Sequence, residues 1–215
     1  MDAMMKAKID NFSLLQSKLI FLSDDDFYHI EVIGRKKDGS TCNSQQHYGS
    51  WFLTSQKMLQ SIQDDVKQLC ISRRARAYIN LNPKSKKQLT LQLMQKCLDF
   101  IKCDSFNGIF SALDSAAGTL NGPRSRKTFI VDVDIDQVRP WSGEDTFAEV
   151  ASMISECRHG EDWQDPFLVP TLNGLHVISS PFDVKQFNEK KLALPEWVHA
   201  EVKTNSPTLL FVELT

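Results

Sequence analysis

The run Val131-Asp132-Val133-Asp134-Ile135-Asp136 places a carboxylate at every second position. In an extended strand alternate side chains share a face, so Ile130, Asp132, Asp134 and Asp136 point one way and Phe129, Val131, Val133 and Ile135 the other. Carboxylates at i and i+2 on one face repel unless a cation or hydrogen-bond donors sit between them, and hard oxygen ligands suit Mg²⁺ or Mn²⁺. Two-metal phosphoryl-transfer sites use such a pair. A plain solvent face is the alternative, although Asp is depleted in strands. Asp136, at the strand end, reads as a cap or turn residue. The second candidate is Pro170-Thr171-Leu172-Asn173-Gly174-Leu175-His176. Asn173-Gly174 is a strong hairpin-turn signal, and in a strand from Leu175 to Ser179 His176 points opposite to Leu175 and Val177. It can then enter the cavity of the aspartates and bind a nucleotide phosphate; a hydrogen-bonded structural histidine is the bland reading.

Cations stand near both candidate strands. Arg73, Arg74 and Arg76 precede and enter the strand ARAYINLN, residues 75–82, and Arg124, Arg126 and Lys127 precede the acidic strand. If these strands are neighbours, both clusters lie at similar ends of one sheet and grip a template backbone or a triphosphate. Lys84, Lys86 and Lys87 read as solvated surface. Tyr78 shares the Arg76 face and offers a base-stacking platform, with ordinary packing as the other reading. A rival site is Asp183 followed by Glu201-Val202-Lys203, which meets a loose PD-(D/E)xK nuclease pattern but leaves the paired aspartates unexplained. The remaining histidines show no zinc-ligand spacing, and no phosphate-binding glycine loop of the Walker or Rossmann type occurs.

These residues need elements to position them. Met58, Leu59, Ile62, Val66 and Leu69 recur at helical spacing over Ser55 to Leu69, ending near Cys70. Strands are expected over Phe27 to Ile33 and over residues 75–82, the latter closed by Pro83. From Ser85 a helix carries Leu89, Leu93, Met94, Cys97, Leu98 and Ile101 on one face, spaced to pack on a sheet. A further helix is read over Thr146 to Arg158, and strands at Phe167 to Pro170, Leu175 to Ser179, Trp197 to Lys203 and Leu209 to Glu213, the last two flanking Asn205-Ser206-Pro207. Asp24 to Asp26 read as a solvated loop. The outcome is one α+β domain, with an N-terminal extension over 1–70 packed on a core over 71–215.

Composition narrows the class. The chain has 215 residues, 41% of them hydrophobic and 24% charged, which suits a globular core and excludes disorder or a disulfide miniprotein. A net charge of −2 excludes a basic nucleic-acid-coating protein, so anion binding must be local. No apolar run is long enough to span a membrane, and the first residues lack the apolar core of a signal peptide, so a cytoplasmic protein without a membrane partner is expected. The five cysteines, Cys42, Cys70, Cys97, Cys103 and Cys157, form no CxxC pair and read as buried reduced thiols.

The order of strand, helix, acidic strand, helix, hairpin and two further strands resembles the archaeo-eukaryotic primase superfamily, including the primase-polymerases of phages and plasmids. Phe129-Ile130-Val131-Asp132-Val133-Asp134 looks like its hhhDhD strand, and Asn173-Gly174-Leu175-His176 like its small-x-His motif. The resemblance spans Arg73 to Glu213. It implies an RRM-like palm, nucleotidyl transfer in DNA replication, Mg²⁺ or Mn²⁺ on Asp132 and Asp134, and nucleotide phosphates at His176. The implied partners are a nucleoside triphosphate, single-stranded or primed DNA, and a helicase or other replication protein. The family's third acid has three candidates here, Asp183, Glu201 and Glu213, and a palm kept for nucleic-acid or protein binding without catalysis is the competing expectation.

Overall fold

The computed structural model describes residues 7–38, 46–123, 126–135, 143–158 and 163–214. In chain order the elements are β1 (Ala7–Asp10), α1 (Phe12–Gln16), β2 (Asp26–Gly34), β3 (Gln46–Leu53), α2 (Gln56–Arg73), β4 (Ala75–Ser85), α3 (Lys86–Lys102), α4 (Ala112–Thr119), β5 (Phe129–Ile135), α5 (Gly143–Glu156), β6 (Phe167–Pro170), β7 (Gly174–Ser179), α6 (Val184–Lys190), β8 (Val198–Lys203) and β9 (Thr208–Leu214). They form two antiparallel sheets, ordered β1-β9-β4-β2-β3 and β6-β7-β5-β8. The α+β class is as expected.

The second sheet runs β-α-β-β-α-β from β5 to β8 with β5 and β7 central, the ferredoxin-like arrangement of an RRM-like palm. Alternation explains its two faces. Val131, Val133, Leu175 and Val177 are buried with Val150, Ile154 and Phe187 from α5 and α6, as the apolar spacing of those segments requires. Ile130, Ile178 and Val169 join instead the core of the first sheet.

In that first core α2 buries Leu59, Ile62, Val66 and Cys70, at steps of three and four residues, against Ala75, Ala77, Ile79 and Phe211. Each buried aliphatic side chain contributes roughly 1.5–3 kcal/mol. The Ser55 hydroxyl accepts the Met58 N–H to begin the helix, and Arg74 at φ 48° ends it, four residues beyond the expected Cys70. Two buried asparagines tie the sheets together. Asn11 donates Nδ2–H to the carbonyls of Pro170 (3.1 Å) and Leu209 (2.9 Å), and Asn82 Oδ1 accepts the Thr128 N–H at 2.6 Å.

Several expectations need correction. The layers do not divide at residue 70, because β1, β2 and β3 share a sheet with β4 and the last strand, β9. β8 and β9, which flank Asn205-Ser206-Pro207, lie in different sheets. β4 runs through Pro83 to Ser85. The expected apolar face of α3 is not buried on a sheet; Met94, Leu98 and Ile101 are each about half exposed or more while Leu89, Leu93 and Cys97 are half-buried, with α4 and the turn Phe106–Ser111 as the main neighbours. Lys84 is buried, with Nζ donating to the Ala117 carbonyl, and burial lowers its pKa to about 8. Asp26, expected in a solvated loop, is buried in a two-pronged ion pair with Arg126. Cys70 and Cys157 are buried free thiols, with burial pushing Cys70 up to about 12, whereas Cys103 is exposed; Cys42 lies outside the described residues.

Two predictions follow from these packing constraints. Gly174 faces Asp134 across the ladder, and a Cβ there would meet the Val133 carbonyl oxygen at 2.0 Å. Gly174→Ala is expected to lower the unfolding free energy by about 2–4 kcal/mol in urea titrations, with an unchanged midpoint as the contrary result. His29 is buried in a stack on Phe52, and desolvation, then the charge of Lys84, lower its pKa to about 4. Below about 6.5 the unfolded chain takes up a proton that the native imidazole refuses, so stability drops as pH falls from 6.5 toward 4 by up to about 1.4 kcal/mol per pH unit. His29→Gln is expected to remove that share of the slope in denaturation curves between pH 7 and 4.5.

Candidate active site

Strand β5 is paired on both edges, and its register decides which side chains meet. Asp132 lies opposite His176 on β7 and Glu201 on β8, while Asp134 lies opposite Gly174 and His199. Cross-strand neighbours project to the same face. Both aspartates therefore stand on the face turned from α5 and α6, in one row with His176 and Glu201.

Asp132 is held on both oxygens. Its Oδ1 is 3.2 Å from His176 Nε2 and its Oδ2 is 2.5 Å from Lys203 Nζ, which also lies 3.6 Å from Glu201 Oε2. The His176 hydrogen bond, with that of Lys203, outweighs desolvation and holds the Asp132 carboxyl well below the usual carboxylate range. For Lys203 burial acts to lower the pKa, but the hydrogen bond and charge of Asp132, with Glu201, leave it raised. The other His176 nitrogen, Nδ1, is 2.8 Å from Thr208 Oγ1 on β9. Both ring nitrogens of His176 are thus engaged, by Asp132 on β5 and Thr208 on β9, so groups from both sheets fix the orientation of the ring.

Facing this row, the first sheet supplies Arg35, Arg76 and Tyr78, and the two walls enclose a cleft of about 260 Å³ roofed by Thr171, Leu172 and Asn173. A second hollow of about 270 Å³ shares Asp132, Asp134 and Glu201 and is walled by Lys191, Leu192 and His199. The three carboxylates thus stand on the divide between two hollows. Arg35 donates an Nη1–H to the Tyr78 hydroxyl at 3.2 Å.

The expected residues divide cleanly. Asp132, Asp134 and His176 come together, and Arg76 and Tyr78 join them from β4, although β4 and β5 belong to different sheets. Arg76 is buried and engaged by Asp38, with Nε donating to Oδ2 at 2.7 Å, so it stiffens the wall. Arg73 and Arg74 do not line the cleft; Arg73 lies over the Tyr48 ring and Arg74 caps α2. The Arg126 group, expected at the triphosphate, is also misplaced. Arg126 is consumed by Asp26, and Lys127 lies 5.5 Å from the Phe129 ring centre, both at the start of β5 rather than beside its aspartates. Arg124 and Asp136 lie outside the described residues.

Among the third-acid candidates Glu201 alone borders the cleft. Asp183 caps α6, accepting the Lys185 and Gln186 N–H groups, and Glu213 pairs with Lys8. That takes Asp183 out of the nuclease pattern read with Glu201 and Lys203; the acid that stands beside those two is Asp132. Sequence reasoning missed Arg35 and Thr208; Arg35 opens the basic run Arg35-Lys36-Lys37, a signal passed over, whereas Thr208 carries none and reaches the site through sheet pairing.

Among the described residues no three acidic, histidine or cysteine side chains form a ready-made metal cage. The donor set nevertheless suits Mg²⁺ or Mn²⁺ in kind, since Mg²⁺ is commonly held by one or two carboxylates together with substrate phosphates.

The Arg76–Asp38 pair sets a prediction for the site wall. Asp38→Ala leaves a buried guanidinium without its partner and is expected to cost about 3–5 kcal/mol in urea unfolding, part of which Arg76→Met should restore in the same background. Additive losses would show that the pair is not coupled.

Set against known proteins, the chain matches no family model, no curated protein and no solved structure.

Proposed function

We propose that the protein is a primase-like nucleotidyltransferase acting in DNA replication, which joins nucleotides from a nucleoside triphosphate to single-stranded or primed DNA, and that Asp132 and Asp134 hold Mg²⁺ or Mn²⁺. One observation carries the reading: Asp132, Asp134, His176 and Glu201 converge on one face of the palm sheet and meet Arg35 and Tyr78 across a single cleft. Both hollows beside the carboxylates suit a reaction with two substrates, a triphosphate and an acceptor hydroxyl.

The bound cation would neutralise charge developing at the α-phosphate and favour ionisation of the attacking hydroxyl. The chain's own residues do the positioning. Glu201 supplies a third carboxylate in line with Asp132. His176 reaches a phosphate by exchanging one of its present partners, Asp132 or Thr208, for a phosphate oxygen, and Arg35 and Lys203 add positive charge on the same side. Tyr78, tied by Arg35, offers a ring to a base.

The competing reading is a palm that binds nucleic acid or a replication partner such as a helicase without catalysis. It draws on the engagement of both Asp132 oxygens within the protein.

Calorimetric titration of Mn²⁺ with dATP separates the two. Metal-dependent nucleotide binding, weakened at least about tenfold in the Asp132→Ala/Asp134→Ala variant, is expected, together with primer extension that the variant lacks. Equal binding by both proteins, or none by either, would sink the catalytic reading.

A further inference from the structure

The proposed cation seat already contains a positive charge. Lys203 Nζ lies 2.5 Å from Asp132 Oδ2 and 3.6 Å from Glu201 Oε2, between two of the three carboxylates that the proposed metal would use. The remaining oxygen of Asp132 faces His176, so a metal approaching this carboxylate shares it with an imidazole on one oxygen and is repelled by an ammonium on the other. Asp132 and Lys203 side chains are 24% and 32% exposed, so the pair is partly withdrawn from water and less screened than a surface contact. Removing the ammonium from Asp132 is costly unless it finds another anion. A phosphate in the cleft is such an anion, because Lys203 borders the same space as Arg35 and His176. Without a phosphate, the described residues form no cage to reward the exchange.

We infer that Lys203 is an exchangeable counter-ion: it holds Asp132 in the free protein, keeps a lone divalent cation out, and moves onto a substrate phosphate when metal and nucleotide enter together. This rests on the metal and nucleotide site proposed above. The consequence is linkage between two ligands, in which each raises the affinity for the other because both must be present for the ammonium to be released without loss. A protein built this way carries no idle metal and admits the cation only with the phosphates it must serve. Lys203 and Glu201, read from sequence as parts of a nuclease pattern, thereby acquire roles beside the aspartates.

Lys203→Met keeps the length and packing of the side chain and removes its charge; Lys203→Arg keeps the charge. Binding of Mn²⁺ alone is read from loss of the paramagnetic resonance signal of the free ion, and binding of dATP in EDTA by calorimetry, on variants first shown to melt cooperatively. The Met variant is expected to bind Mn²⁺ alone about tenfold tighter than the parent chain and metal-free dATP about tenfold weaker, with the Arg variant close to the parent. The opposite signs matter, since general loosening of the fold would weaken both. Mn²⁺ binding that is unchanged or weaker in Lys203→Met overturns the inference. If the parent chain still binds Mn²⁺ with dATP in an Asp132-dependent manner, the proposed function survives that failure. If neither protein binds Mn²⁺ with or without dATP, or if Asp132→Asn leaves tight binding intact in the Met variant, both readings fall.

Discussion

Strand β5 is hydrogen-bonded along both edges, so each of its side chains must go either under the helices or toward the other sheet. The side facing α5 and α6 is uniformly apolar, with Val131 and Val133 fully buried. The opposite side grades along the strand: Ile130 is buried where the sheets meet, Asp132 is partly covered, and Asp134 is exposed. That gradient anchors the strand at one end and opens a cleft at the other. A partly covered carboxylate must be compensated, and β7 and β8 supply His176 and Lys203 at the positions which the antiparallel register makes adjacent.

The first sheet is the other half of the same device. Its central strands rest on α2, and its far face supplies Arg35, Arg76 and Tyr78 to the cleft. Polar side chains at the seam are paired rather than solvated: Asn11 and Asn82 bridge the sheets, Asp38 engages Arg76, and Thr208 reaches His176 from β9. Buried hydrogen bonds of this kind cost little while satisfied and much when broken, which holds the two walls at a fixed separation. Positioning across a seam is how a small domain can present charge of both signs to one substrate.

The contrast between Arg126 and Arg35 shows how charge type alone misleads. Arg124, Arg126 and Lys127 precede the acidic strand in the chain, yet Arg126 serves Asp26 on β2, whose carboxyl it holds well below the usual range against burial. Arg35, which opens the basic run Arg35-Lys36-Lys37 and lies more than ninety residues from Asp132 in sequence, reaches the cleft because β2 pairs with β4. Proximity along the chain and proximity in the site are different quantities.

Most strands and the amphipathic helices, the shared face of Asp132 and Asp134, the turn at Asn173-Gly174 and the outward aim of His176 were all legible from residue order, because side-chain periodicity and turn chemistry are local properties of the backbone. Pairing is not local. That β8 joins β5 while β9 crosses to β4 and β1, that Glu201 rather than Asp183 or Glu213 stands beside Asp132, and that Lys203 holds its carboxylate all depend on which strands bury their apolar faces together. The residue order thus determined which groups can share a face, whereas tertiary structure decided which faces meet, since long-range strand register follows from packing the whole core and not from any short run of residues.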